Sequence, residues 1–464
     1  MATENTRLGG TLAHTILQNA ERVALIGIGG VGMCSIAHIL LSQQKNMIGQ
    51  DTHRSGHTHR LAEQGVRVFY HDLALPLKTG DAVIYTAAIP PTHPSLLLAK
   101  ELHLPILSRA DALAGLMQSS SPRVAIAGMH GKSTVTALLG HILCEGGLSP
   151  TVVCGAEMAK EQSPFLLGDG PFVFEACEYM ASFLSFAPDI ALLLNMEWEH
   201  IDCYPTFRDV KEAFSCFVSQ SKELVLCYDE PALRPFAKQK TSIFYSLSDG
   251  GADVYAKEIT PHFGGHRFLL CQEGKEMGEV TLPLVGKFNI SNALGAAAVA
   301  LRLGVSSDAV CRSLSCDKGV KRRLEHRGFL GNVPVFDDYA HHPTEITASL
   351  TALRKATKGK LYAVFQSHTY SRTKAFFTSL VSALGLADTV LVADIYPARE
   401  TDTQGMSGET LARGIGNTAH YLPTYAEMAE YLLSHVRTGD TVVVMGAGNI
   451  ENLFSVLPLS SSPK

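Results

Sequence analysis

Short apolar runs alternate with amphipathic stretches along the whole chain. The runs Val23–Gly27, Ala82–Tyr85, Val124–Gly128, Ile190–Leu194, Val333–Phe336, Leu361–Phe365, Val390–Ala393 and Val442–Met445 have strand length. Behind the first, Met33, Ile36, Ala37, Leu40 and Leu41 recur at the spacing of one helix face. Behind Val124–Gly128 the stripe is Val135, Leu138, Leu139, Ile142 and Leu143, ended by Gly146-Gly147. Strands alternating with helices predict an α/β fold with largely parallel sheets. Two boundaries stand out: the polar, Pro-ended Gln118–Pro122 and the basic stretch Arg322–Gly328. The segment Asp249–Leu284 reads as a β-rich insertion with turns at Gly264-Gly265 and Gly274. Three open α/β units result, over residues 1–118, 119–325 and 326–464.

Composition narrows the class without changing that picture. The 464 residues are 46% hydrophobic and 18% charged, which is enough apolar material for several cores and excludes disordered, collagenous and small disulfide-stapled proteins. With 39 basic and 44 acidic residues the net charge is −5, so a nucleic-acid or anionic-membrane surface is not expected. The polar start MATENTRLGG lacks the apolar region of a secretory signal, and no apolar run reaches bilayer-spanning length. Ten cysteines are scattered with no CxxC pair, which predicts free, mostly buried thiols, for example Cys34 and Cys144 on helices, and a cytoplasmic location.

Two glycine loops carry the first chemistry. Gly27, Gly29, Gly30 and Gly32 stand between a strand and a helix, where glycines let the backbone approach a diphosphate and the helix start favours its charge. Asp51 ends a second short strand 19 residues after Gly32, near the place of a ribose-binding acid. This loop fits either NAD or a nucleotide sugar. The second loop, Gly128-Met-His130-Gly131-Lys132-Ser133-Thr134, is a phosphate loop with its first glycine closer than usual. There backbone N–H groups would cradle phosphates, Lys132 would reach the β- and γ-phosphates and Ser133 would ligate Mg²⁺. A diphosphate site and an ATP site in one chain point to phosphoryl chemistry on a nucleotide-linked substrate.

Polar clusters follow the later strands, where α/β sites form. They are Glu175, Cys177 and Glu178 after Phe172–Phe174, and Asn195-Met-Glu197-Trp-Glu199-His200-Ile-Asp202 after Ile190–Leu194. Their carboxylates suit Mg²⁺, whereas a lone His reads more simply as structural. Asp337-Asp338-Tyr339-Ala340-His341-His342 and Gln366-Ser-His368-Thr-Tyr370-Ser-Arg372 close two strands of the third segment, with an Arg able to hold a carboxylate bidentately.

Taken in order, GIGGVGM (27–33), GMHGKST (128–134), EACE (175–178), NMEWEHID (195–202), GKFNISNA (286–293), GVKRRLE (319–325), DDYAHHPTEI (337–346) and FQSHTYSRTK (365–374) resemble the Mur ligase family over nearly the whole chain, and its alanine-adding branch in particular. The resemblance implies an N-terminal Rossmann-like domain for a UDP-sugar, a central P-loop ATPase-like domain with a mostly parallel sheet, and a C-terminal Rossmann-like domain helping bind ADP and the amino acid. The first loop (Gly27, Gly29, Gly30, Gly32, with Asp51) then reads as a UDP-diphosphate site. ATP falls to Gly128, His130, Gly131, Lys132, Ser133, Thr134, Asn292 and Arg323, with Arg322 adjacent. Metal falls to Ser133, Glu175 and His200, with Glu178 as the alternative to Glu175. Lys132, His200, Asp338, His341, His368 and Arg372 are the implied catalytic set, with His341, His342 and His368 all open as the base. Cys177, Met180, Glu199 and Phe288 depart from the family pattern, and Ser215 stands where other branches carry a carbamylated lysine.

The reaction implied is ATP-dependent joining of L-alanine to the lactyl carboxylate of UDP-N-acetylmuramate through an acyl phosphate, with Mg²⁺, by a monomer or weak homodimer. A ligase that recycles murein by adding a preformed tripeptide would share most motifs, but Tyr339 and Glu345 favour alanine. A nicotinamide-dependent oxidoreductase leaves the phosphate loop unexplained, and a non-catalytic nucleotide-binding regulator would not need Glu175, His200 and Asp338 together.

Overall fold

The computed structural model describes residues 8–200, 203–247, 251–262, 264–398 and 400–463. Ile201 and Asp202, the end of the NMEWEHID motif, lie outside them. Three sheets follow one another along the chain.

The first contains β1 (Arg22–Ile26), β2 (Asn46–Gln50), β3 (Arg67–Phe69), β4 (Asp81–Tyr85) and β5 (Ile106–Ser108), all parallel in the order β3-β2-β1-β4-β5. The second contains β6 (Arg123–Ala127), β7 (Thr151–Met158), β8 (Ser163–Leu166), β9 (Phe172–Glu175), β10 (Ile190–Leu193), β11 (Glu223–Cys227), β12 (Thr241–Ser246), β13 (Val254–His262), β14 (Gly265–Gln272) and β15 (Lys275–Leu282). Its order is β15-β14-β13-β12-β11-β10-β6-β9-β7-β8, with parallel pairing from β13 through β7 and an antiparallel β8 at one edge. The third contains β16 (Glu325–Leu330), β17 (Val333–Asp338), β18 (Leu361–Phe365), β19 (Thr389–Val392), β20 (Ala419–Tyr421) and β21 (Thr441–Met445), in the order β16-β17-β21-β18-β19-β20 with only β16 antiparallel. The β-rich insertion is the β13–β15 meander, turning at Gly264 (φ 73°) and Gly274 (φ 81°).

The apolar runs are continuous because these strands are covered on both faces. In the third sheet Leu361, Ala363 and Phe365 enter one core with Ile346, Leu350, Leu380 and Leu411. Their neighbours Tyr362 and Val364 enter the opposite core with Met428 and Leu432. Several helix starts are fixed by side chains. Thr206 and Asp209 form a capping box on the helix Phe207–Gln220, as do Thr424 and Glu427 on Tyr425–His435.

By contacts the chain divides into two units. One is Met1–Ile259, Phe268–Val280 and Ser291–Asp317, which holds the first sheet and most of the second; the other is Thr260–Arg267, Thr281–Ile290 and Lys318–Lys464. All ten cysteines are free. Cys34 is buried, but Cys144 is exposed, because it lies at the solvent end of its helix, one residue before Glu145. No helix among the described residues is long and apolar enough to cross a membrane.

Candidate active site

In the first unit the loop after β1 leaves the strand at Gly27 (φ 81°), where an added Cβ would lie 2.7 Å from Thr86 Cγ2. The N–H groups of Gly27 and Ile28 donate to Gln50 O at 2.7 and 3.1 Å. Asp51 Oδ2 accepts from Gly29 N–H at 2.8 Å and Oδ1 from His53 N–H at 3.2 Å. Asp51 therefore braces the loop in this structure. Gly30 precedes the helix Val31–Ser42 and brings no side-chain cap, which leaves first-turn N–H groups for an anion.

The loop after β6 is held more tightly. Gly131 has φ 87°, and a Cβ there would stand 2.6 Å from Asn292 Oδ1. Asn195 clamps the loop from β10: its Oδ1 accepts from His130 N–H at 2.9 Å and its Nδ2 donates to His130 O at 3.0 Å. Lys132 opens the helix Lys132–Glu145, with Ser133 and Thr134 buried behind it. Its Nζ donates to Gly128 O (2.5 Å), Met129 O (3.0 Å) and Glu178 Oε2 (2.9 Å).

Glu178 is the centre of this cluster. It is 2% exposed, and its other oxygen lies 2.8 Å from His200 Nε2. The Tyr204 hydroxyl donates to Glu178 O at 2.6 Å and fixes the backbone. Burial alone would raise the Glu178 carboxyl, but Lys132 and His200 outweigh it and hold the group down at about 2. Burial likewise opposes the Lys132 charge, and Glu178 carries it well above the ordinary lysine range.

Glu175, expected as the metal ligand, is turned elsewhere: it ends β9 and its carboxylate accepts from Gly155 N–H. Three residues later the chain has left the strand, and that brings Glu178, not Glu175, between Lys132 and His200. Ser215, on the helix Phe207–Gln220, lines a cleft with Met196 and Phe236.

In the second unit Asp338 ends β17 but is 3% exposed. One of its oxygens takes the Ser349 hydroxyl and the other the Ala340 N–H, and burial pushes the carboxyl up to about 6. It is therefore a strut under the loop, not a group presented to substrate. His342 is likewise structural: it caps the helix Pro343–Ala356 and packs on Phe376 with ring centroids 4.9 Å apart. Arg322 donates to Gly446 O and pairs with Glu451 and Asp337, while Arg323 pairs with Glu345 at 3.1 Å. Both guanidinium groups lie over the Tyr339 ring.

His368, Arg372 and His341 do come together. The His368 Nδ1 is 3.3 Å from Arg372 Nη1, and the His341 and His368 rings lie 6.2 Å apart. Burial, then Arg372 and His341, press the His368 pKa down to about 4, so its imidazole is neutral near pH 7. Glu400 pins the start of the helix that carries Arg372: its carboxylate accepts from Tyr370 N–H (2.7 Å), Ser371 N–H (2.9 Å) and the Ser371 hydroxyl.

Three family models match successive parts of the chain. They are Mur ligase family, catalytic domain (residues 22–121), Mur ligase middle domain (126–300) and Mur ligase, glutamate ligase domain (322–448). A UDP-N-acetylmuramate–L-alanine ligase of Caldicellulosiruptor bescii is 36% identical over 441 residues, 93% of this chain and 97% of the relative. The chain belongs to the Mur ligase family. A second such relative, from Caldanaerobacter subterraneus subsp. tengcongensis, is 37% identical, covering 94% of this chain and 96% of its own length. Among solved structures, a UDP-N-acetylmuramate–alanine ligase of Thermotoga maritima shares the fold with TM-score 0.80, 24% identity and coverage of 94% and 98%. A murein peptide ligase of Psychrobacter arcticus also shares the fold, with TM-score 0.72, 23% identity and coverage of 94% and 98%.

Two polar groups escape a reading of the sequence, the Asn195 clamp in the first unit and the Glu400 pin in the second, and Glu178 stands there only as the alternative to Glu175. Asn195 and Glu178 lie inside recognisable motifs, but a motif does not say which way a side chain points. The donor set of Glu178, His200 and Ser133 fits a small hard cation only if phosphate and water oxygens complete its shell, because Mg²⁺ prefers oxygen.

Proposed function

We propose that this Mur ligase joins L-alanine to the lactyl carboxylate of UDP-N-acetylmuramate, with ATP converted to ADP and phosphate. The observation that carries the reading is the Lys132–Glu178–His200 cluster behind a clamped phosphate loop, in the same unit as a second loop open to a diphosphate. The alanine-adding relatives at 36–37% identity support alanine as the amino acid. The domain assignment follows: residues 1–118 for the UDP-sugar, 119–325 for ATP and 326–464 for the amino acid, in a cytoplasmic monomer or weak homodimer.

The lactyl carboxylate attacks the γ-phosphorus of ATP and ADP departs, leaving an acyl phosphate. The alanine amine then attacks the acyl carbon, phosphate leaves, and one amine proton is lost. A carboxylate approaching a polyanion is a poor nucleophile, so the protein's work is positioning and charge neutralisation. Lys132 supplies charge at the phosphates, and Gly128, Gly131 and the first turn after them supply N–H donors. Ser133, Glu178 and His200 would hold Mg²⁺, which when bound offsets phosphate charge. Arg372 is the cation for the amino-acid carboxylate, and the neutral His368 accepts from its guanidinium through Nδ1 and so orients it. Asp338 acts at a distance by holding the loop that bears His341.

Phosphate release is measured with ATP, Mg²⁺, UDP-N-acetylmuramate and either L-alanine or the murein tripeptide. Release with alanine alone is expected. Release only with the tripeptide would establish the recycling reaction instead, and release with neither would refute ligase activity.

A further inference from the structure

Arg109 is a cation that the fold places without an ion-pair partner among the described residues. It is the first residue of the helix Arg109–Leu116, directly after β5. Its guanidinium lies against Gly32, in the first turn of the helix that begins at the first glycine loop: a Cβ on Gly32 would stand 2.8 Å from Arg109 Nη1 and 3.5 Å from Cζ. A side chain on residue 32 would push the guanidinium out of this place.

The start of the Arg109 helix is anchored on both sides. The Ser108 hydroxyl accepts from Asp111 N–H at 3.1 Å and donates to Asp111 Oδ2 at 2.7 Å, while Asp111 Oδ1 takes the Ser185 hydroxyl at 3.1 Å. The nearest acid in sequence is thus spent on capping. Among the described residues Arg109 has no carboxylate within salt-bridge distance, although it is half-buried. A partly desolvated guanidinium without a counter-charge is unfavourable until an anion arrives. Its planar fork suits the paired oxygens of a phosphate.

We propose that Arg109 is a diphosphate-binding residue of the UDP-sugar site. This rests on the functional reading above. Binding is measured by titration calorimetry on the full chain, with UDP, UDP-N-acetylglucosamine and UDP-N-acetylmuramate as probes. The first two carry the diphosphate but no lactyl carboxylate. Arg109→Met should weaken all three by a similar factor, about 30-fold or more, and Arg109→Lys should recover part of the loss. ATP binding should stay within twofold, which shows that the variant is folded.

Equal affinity of wild type and Arg109→Met for UDP and UDP-N-acetylglucosamine would overturn the assignment while leaving the ligase reading intact. Loss confined to UDP-N-acetylmuramate would also overturn it, by moving the contact to the carboxylate. No binding of any probe by the unsubstituted protein would overturn both.

Discussion

Glu178 lies between Lys132 and His200, 2.9 Å from the lysine Nζ and 2.8 Å from the histidine Nε2, and is almost completely buried. A carboxylate so placed bonds to both groups and sets where each of them points. Glu178→Gln should lower kcat by about 100-fold, while Glu175→Gln, which keeps an acceptor for the Gly155 N–H, should lower it by less than about tenfold. Steady-state phosphate release on both variants decides the point. A larger loss in the Glu175 variant would mean that Glu175 is the more important acid.

Asn195 holds the phosphate loop through two backbone hydrogen bonds at His130. Asn195→Ala removes both and leaves the loop free to open, at a cost of about 1–3 kcal/mol. The KM for ATP should rise by roughly tenfold with that cost, while UDP-sugar binding is unchanged. An unaltered KM for ATP would mean that the loop holds its shape without the clamp.

Glu400 is expected to matter through Arg372. Glu400→Gln retains an acceptor for the Tyr370 and Ser371 N–H groups, whereas Glu400→Ala loses it. The KM for L-alanine should rise about tenfold or more in the alanine variant and much less in the glutamine variant, in keeping with about 1.5–3 kcal/mol for a hydrogen bond to a charged group. KM values for ATP and the UDP-sugar should not move. If all three rose together, Glu400 would be stabilising the fold at large.

A pH signature is expected from His141, on the phosphate-loop helix. Its Nδ1 is 2.5 Å from Asp317 Oδ2 and its Nε2 is 2.7 Å from Glu161 Oε2. Burial opposes its charge, but the two acids prevail and raise its pKa above the usual histidine value. The stabilisation is therefore full below about pH 6.5 and is lost as pH rises through the raised native value. His141→Gln should cost roughly 3–5 kcal/mol at pH 6, and the gap should narrow in alkali. Thermal unfolding of both proteins from pH 5.5 to 9 tests this. A gap independent of pH would show that the imidazole is neutral.

The layering of this fold was legible because buried parallel strands need runs such as Leu361–Phe365 and Val442–Met445, which few other structures tolerate. The β13–β15 meander was legible from its glycine turns. The polar residues were legible as clusters but not as roles. Glu175 and Glu178 both follow the same strand, and only the path of the chain after β9 decides which one meets Lys132. Asp338 and His342 sit in a dense motif, yet both are spent on the junction between β17 and the helix that follows. Arg109 has no motif around it at all; its place comes from packing against Gly32.

The two glycine loops are built alike but locked by different groups: the first by the Asp51 carboxylate, the second by the neutral Asn195 amide with Lys132 alongside. Among the described residues the Asp51 carboxylate bonds only to Gly29 and His53, and the Asn195 amide only to His130, so the two braces share no bond. Each cradle can be loosened without touching what holds the other.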